Sequence, residues 1–140
     1  MLKHNHIIIR AEVEKPPKDI RFARKWIRKF IKAIDMKMLG QPNSHYVYDK
    51  GNRGLTCLAI LSTSHIALHT WDEVSPALMQ LDVYSCSDLD KKIVFQQMTT
   101  TAVSLCFSDC DNVFLKIPRR WFILEKKIFI YVFQIFFDLN

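Results

Sequence analysis

Glycine is scarce in this sequence, with three residues among 140. Because glycine supplies much of the backbone freedom of long loops, its scarcity favours short connections between regular elements. Internal repeats and low-complexity tracts are also lacking, which excludes a repeat array. Apolar residues make up 49% of the chain and charged residues 24%, as in globular domains. A chain of this length is one domain in size and buries roughly two-thirds of the surface that it exposes when unfolded.

Long uninterrupted apolar runs are lacking as well. No apolar stretch of the kind found in a secretory signal follows residues 1–6, so we expect a cytoplasmic protein. The apolar run at residues 128–137 contains Gln134 and is too short for a helix to span a bilayer core, so no membrane partner is expected. We predict that residues 119–140 form an apolar tail of unknown role, packed against the chain's own core or a second copy. An edge strand, a helix and a partner-binding segment remain open for this tail.

The chain has four cysteines and no pattern that pairs them. Three residues separate Cys106 from Cys110, but no second pair accompanies them, so no metal site is predicted. Thiols stay reduced in the cytoplasm, and most of the cysteines are expected to be small core residues.

Positive charge is in excess, and the net charge is +6. Much of it lies within residues 21–32, where apolar residues recur at steps of three and four. This periodicity predicts an amphipathic helix over residues 19–35, with Asp19 as its N-cap. No aromatic residues interleave on the polar side for base stacking, so we interpret the basic side as solvated and expect no nucleic-acid partner.

The rest of the chain predicts further strands and a second helix. Turns are predicted at residues 40–44 and 49–54. Strands are predicted at residues 6–13, 45–48, 55–61, 65–71, 78–85 and 112–117. A helix is predicted after a cap at Ser87 and Asp88, with an apolar stripe of Phe95, Met98, Ala102 and Leu105 or Cys106. Short turns between successive strands favour antiparallel pairing. The predicted fold class is α+β, a two-layer sandwich in which two helices pack on one face of an antiparallel sheet.

One central segment concentrates side chains suited to acid, base and nucleophile chemistry. Residues 63–73 read Thr-Ser-His-Ile-Ala-Leu-His-Thr-Trp-Asp-Glu, and residues 82–86 read Asp-Val-Tyr-Ser-Cys. Any one of these residues is more often a packing or surface residue than a functional one. Their joint spacing is the informative feature.

The two segments resemble the self-processing site of the small prokaryotic S-adenosylmethionine decarboxylases, which read Glu-Ser-His-x-x-x-His-Thr-Trp-Pro-Glu and Asp-Val-x-x-Cys. The resemblance is clearest over residues 56–86 and implies an S-adenosylmethionine decarboxylase-like domain at residues 1–118. It implies that the chain cleaves itself between Thr63 and Ser64 and that Ser64 becomes a pyruvoyl cofactor. It also implies a homodimer, because the family assembles its active sites at a dimer interface.

The resemblance assigns further roles. In processing, the Ser64 hydroxyl would attack the carbonyl of Thr63, Thr56 would assist, and His69 would be the base of the elimination step. Strict strand alternation places Ser64 and His69 on opposite faces, so a bulge or a neighbouring strand would have to bring them together. In decarboxylation, the substrate amine would form a Schiff base with the pyruvoyl group, and Cys86 would return a proton to the product.

For substrate binding, the resemblance points to Glu73, whose carboxylate suits a sulfonium or ammonium group. Tyr46 and Tyr48 are candidates to stack on a purine or to face a sulfonium. His65 and Trp71 are interpreted as structural.

The sequence departs from the family pattern at Thr63, where the family usually has glutamate, and at Asp72, which replaces proline. The loop from Trp71 to Cys86 is also slightly longer. Asp72 should make its turn less rigid than a proline would. The leading hypothesis is conversion of S-adenosylmethionine to decarboxylated S-adenosylmethionine for spermidine synthesis. The alternatives are the same chemistry on arginine or ornithine, or a non-processing homologue that acts as a binding or regulatory subunit.

Overall fold

A computed structural model describes residues 4–13, 15–106, 112–117, 120–125 and 129–136, with side chains through Thr100 except that of Thr99. The described residues form two helices and eight strands. The helices are α1 (Ile20–Ala33) and α2 (Lys91–Cys106). The strands are β1 (Asn5–Val13), β2 (Met38–Val47), β3 (Gly54–Leu61), β4 (Ser64–Trp71), β5 (Ala77–Ser85), β6 (Asn112–Ile117), β7 (Arg120–Glu125) and β8 (Phe129–Phe136).

The strands form one sheet in the order β2-β3-β4-β5-β1-β8-β6-β7. The five strands from β2 to β1 pair antiparallel. Strand β8 is antiparallel to β1 and parallel to β6, and β7 is antiparallel to β6. Two segments of the predicted apolar tail, β7 and β8, are therefore strands of this sheet. No helix among the described residues is long and apolar enough to cross a membrane.

The core lies between the sheet and the helices. In β1, Ile7, Ile9, Ala11 and Val13 are buried and their neighbours are not, which is the period of a strand with one covered face. Helix α1 packs on β2 and β3, and α2 packs on β1 and α1. The predicted α+β class, with both helices on one face, is confirmed. The other face, which we call the open face, carries most of the candidate site.

Helix α1 begins and ends close to the predicted positions. The Asp19 side chain accepts a hydrogen bond from the backbone N–H of Arg21 at 2.8 Å, so the predicted N-cap is confirmed. The second helix differs, because Asp90 rather than Ser87 or Asp88 caps it. The Oδ1 atom of Asp90 accepts from the backbone N–H of Lys92 at 2.8 Å.

The predicted turn at residues 40–44 is wrong, because these residues belong to β2. The pairing of β2 with β3 shifts register between Leu39 and Asn43, and Gly40 has a φ of 71°. An irregularity of this kind resembles a turn in sequence but keeps the strand continuous. Strand β2 is at the edge of the sheet, where Pro42 is tolerated because its nitrogen has no ladder bond to donate.

Candidate active site

The bond between Thr63 and Ser64 lies at the tip of the β3–β4 hairpin. Ser62 and Thr63 form the turn, and Leu61 pairs with Ser64 across it. Ser64 has a φ of 144°, a region that residues with a Cβ atom rarely adopt. Backbone strain is therefore stored at the residue that follows the predicted cleavage site.

The neighbouring strand β5 brings Cys86 to this hairpin. The carbonyl oxygen of Thr63 accepts a hydrogen bond from the backbone N–H of Cys86 at 2.9 Å. Ser64 pairs with Ser85, and the Ser85 hydroxyl lies 3.4 Å from that of Thr63. An N–H donor at a carbonyl oxygen polarises the carbonyl and stabilises the oxyanion that forms when a nucleophile attacks it. Although the loop before Cys86 is longer than in the family pattern, Cys86 lies beside the predicted cleavage site.

The Ser64 hydroxyl contacts His65, which the sequence had indicated as structural. Its Oγ atom lies 3.2 Å from Nδ1 of His65. The His65 ring in turn stacks on Tyr84, with 5.8 Å between ring centroids. Adjacent residues of a regular strand point to opposite faces, and Ser64 departs from regular strand geometry with its φ of 144°.

Tyr84 also joins His4 to the site. Its hydroxyl lies 2.8 Å from Nδ1 of His4, and the same nitrogen lies 3.7 Å from Sγ of Cys86. Burial raises the pKa of the Tyr84 hydroxyl, and the nearby Cys86 raises it further. Sequence reasoning missed His4 and Tyr84. No local sequence pattern identifies them, since their approach to Cys86 depends on the pairing of β1 with β5.

Thr56 and His69 form a second polar pair on the open face. They are direct neighbours across β3 and β4, and Thr56 Oγ1 lies 3.1 Å from Nδ1 of His69. Burial lowers the pKa of His69, and the opposing effect of Asp82 is smaller. Burial therefore favours the neutral form of His69, which is the form in which an imidazole accepts a proton.

The contact of Ser64 with His65 and the contact of Thr56 with His69 lie apart along β4. His69 is five positions after Ser64, which corresponds to roughly 16 Å at about 3.3 Å per residue. No bulge shortens this path, because β4 keeps its register with β3 and β5 from Ser64 to His69. One chain by itself does not bring His69 to Ser64.

A cavity of about 300 Å³ lies beside His69. It is lined by Val47, Asn52, Gly54, Thr56, His69, Thr70 and Trp71. A Cβ atom at Gly54 would lie 1.8 Å from the carbonyl oxygen of Thr70, so only glycine allows the strands to approach here. Among the described side chains, no group of three or more His, Cys, Asp or Glu residues is placed to hold a metal ion.

The predicted substrate contacts lie at the far end of β4 from Ser64. The Glu73 carboxylate accepts a hydrogen bond from the backbone N–H of Gly51 at 2.9 Å. Tyr48 is exposed and lies against Tyr46, with ring centroids 4.8 Å apart. Tyr46 pairs with the buried Leu55, so it faces the core side rather than the open face.

Asp72 stabilises the turn after β4 through its side-chain contacts. Its side chain is 2% exposed and lies 2.9 Å from Nε of Arg53 and 3.0 Å from Nζ of Lys18. The Tyr46 hydroxyl donates to it at 2.7 Å. Burial raises the pKa of Asp72, but the hydrogen bonds from Tyr46, Lys18 and Arg53 together lower it below its ordinary value. Side-chain contacts here replace the rigidity that a proline ring would supply.

Comparison with known proteins agrees with the motif. The family model described as S-adenosylmethionine decarboxylase matches residues 6–102, more than half of the chain. An S-adenosylmethionine decarboxylase proenzyme from Aquifex aeolicus is 39% identical over 59 residues, which is 42% of this chain and 42% of that protein. A proenzyme of the same description from Pyrobaculum islandicum is 44% identical over 50 residues, or 35% and 38% of the two chains. The matched stretches span less than half of these relatives. By the family match, the chain belongs to the S-adenosylmethionine decarboxylase family.

Proposed function

We propose that this chain is a proenzyme that cleaves itself between Thr63 and Ser64 and becomes a pyruvoyl-dependent decarboxylase. The observation that carries the proposal is the hydrogen bond of the Cys86 N–H to the Thr63 carbonyl, next to a serine with a φ of 144°. A polarised carbonyl and a strained serine at one peptide bond are what an acyl shift from nitrogen to oxygen requires.

In the first step, the Ser64 hydroxyl attacks the Thr63 carbonyl carbon, the C–N bond breaks and an ester forms. The Cys86 N–H stabilises the negative oxygen during this attack. A base then removes the α-proton of Ser64, and the Thr63 carboxylate leaves. The dehydroalanine that remains at position 64 hydrolyses to the pyruvoyl group with loss of ammonia.

His69 is the proposed base, with Thr56 as its hydroxyl partner. Because roughly 16 Å separates His69 from Ser64 along one strand, we propose that a second copy of the chain supplies this pair. The open face supports a homodimer, since Leu58 and Ile60 are 43% and 58% exposed on the face that carries His69.

The proposed substrate is S-adenosylmethionine, and the product is decarboxylated S-adenosylmethionine for spermidine synthesis. The pyruvoyl group would supply the electron sink for loss of carbon dioxide. The Cys86 thiol would return a proton to the product carbon, a role supported by its place at the hairpin. Glu73 and Tyr48 of the second copy are proposed to contact the cationic substrate, because those of the same chain lie at the far end of β4 from Ser64. Tyr46 is proposed to hold Tyr48. Arginine and ornithine are the alternative substrates.

The test is release of labelled carbon dioxide from carboxyl-labelled S-adenosylmethionine, arginine and ornithine. The parent chain is expected to release it from S-adenosylmethionine, and Ser64→Ala is expected to release none. Ser62→Ala is a matched control, because it removes a hydroxyl from the same turn. Release of carbon dioxide from arginine or ornithine alone would replace S-adenosylmethionine as the proposed substrate. Release from none of the three compounds would overturn the proposal that the chain is a decarboxylase.

The second candidate is a binding or regulatory subunit that never cleaves. The replacement of the family's glutamate by Thr63 favours it. This candidate predicts that the uncleaved chain and Ser64→Ala bind S-adenosylmethionine equally well in calorimetry. Binding that appears only after cleavage would exclude it.

A further inference from the structure

A triad beside the β3–β4 hairpin consists of His4, Tyr84 and Cys86. The family motif assigns a role to Cys86 but none to His4 or Tyr84. One atom joins them, since Nδ1 of His4 lies 2.8 Å from the Tyr84 hydroxyl and 3.7 Å from Sγ of Cys86. His4 and Cys86 are 82 residues apart in sequence and meet because β1 pairs with β5. Their side chains are partly buried.

We propose that His4 is a positioning residue that holds the thiol of Cys86 and exchanges a proton with it, while Tyr84 orients the imidazole. The inference rests on the proposed function, in which Cys86 protonates the product. When the thiol gives up its proton, the S–H bond breaks and a C–H bond forms on the product. The His4 imidazole then takes a proton from water at one ring nitrogen and passes the Nδ1 proton to the thiolate, which restores the thiol.

The other ionisable groups around this triad have their own partners. Nε2 of His6 lies 2.9 Å from the Asp82 carboxylate, and Nδ1 of His65 lies beside the Ser64 hydroxyl. His6 meets Tyr84 only edge to face, with ring centroids 5.3 Å apart. Among the described side chains, His4 is therefore the histidine with a hydrogen-bonding contact to the Cys86 sulfur.

The test is the pH dependence of Cys86 alkylation by iodoacetamide, followed by peptide mass spectrometry. Thiolates react and thiols do not, and an unassisted thiol with a pKa of about 8.5 is mostly protonated at neutral pH. His4→Asn keeps a polar atom near Nδ1 but cannot accept the proton. We expect this variant to lower the ratio of the alkylation rate at neutral pH to that at about pH 9.5 by about fivefold. Tyr84→Phe should lower the ratio less.

The ratio separates proton exchange from access, because access affects the rates at both pH values alike. His45→Asn is the matched control, since His45 is exposed on β2, and its ratio should equal that of the parent. Buried Cys57 should stay unmodified in every variant, which reports that the fold is intact. Measurement in the Ser64→Ala background makes the result independent of cleavage. A ratio unchanged by His4→Asn would overturn the role of His4, even if the parent chain cleaves and decarboxylates.

Discussion

At the scale of single residues, Asp72 replaces the proline of the family pattern and stabilises the turn after β4 through its side-chain contacts. A carboxylate that is 2% exposed is costly to bury unless it is paired, and here Arg53, Lys18 and Tyr46 all contact it. Lys18 and Arg53 are 59% and 42% exposed, so solvent screens their part of the attraction. The result is a fixed turn between the end of β4 and the loop that holds Glu73.

Asp72→Asn should lower the free energy of unfolding at neutral pH by about 1–2 kcal/mol, because it removes the charge that the three hydrogen bonds stabilise. The pKa of Asp72 is lower in the folded chain than its ordinary value of 3.8. Its contribution is therefore fully present above that value and is lost as the pH falls through the folded-state pKa. Urea unfolding of both proteins over this range measures the effect.

Asp49→Asn is the control, since Asp49 is an exposed carboxylate in the neighbouring loop. It should leave the stability at neutral pH almost unchanged. If the loss of unfolding free energy in Asp72→Asn did not become smaller in acid, a charge-based role for Asp72 would be contradicted.

At the scale of elements, local patterns predicted most of the fold. Short runs rich in apolar and β-branched residues predicted β1, β3, β4 and β5, and the period of α1 predicted its extent together with the cap at Asp19. Residues 40–44 were mistaken for a turn because a register shift uses the same residue types as a loop.

The candidate site was only partly predictable, because some of its contacts join segments that are distant in sequence. Thr56 and His69 belong to the motif, and the β3–β4 hairpin places them side by side. The contact of His4 with Cys86 depends on β1 pairing with β5, a pairing of distant segments that no local pattern encodes. The backbone conformation of Ser64 and the contact of its hydroxyl with His65 are likewise properties of the folded hairpin.

At the scale of the whole molecule, one chain holds two separated halves of the proposed processing site. The hairpin end carries Ser64 and Cys86, and the middle of β4 carries His69 with Thr56. Two chains stacked through their open faces would let each supply what the other lacks.

Mixed expression of Ser64→Ala and His69→Ala tests this arrangement. Neither variant alone should cleave. Together, the His69→Ala chain should be cut, because it retains Ser64 and receives His69 from its partner. Mass spectrometry identifies which chain is cut, and Lys29→Ala, at an exposed position of α1 on the other side of the sheet, serves as a control that should cleave alone. Efficient cleavage of His69→Ala by itself, or no cleavage in the mixture, would contradict a shared site.

The most direct measurement is the intact mass of the purified parent chain under denaturing conditions. The account predicts two fragments, residues 1–63 and residues 64–140, the second with a pyruvoyl group in place of Ser64. The Ser64→Ala chain should remain whole. A parent chain that stays full-length after prolonged incubation, or a 64–140 fragment that begins with an unmodified serine, would contradict self-processing at this bond.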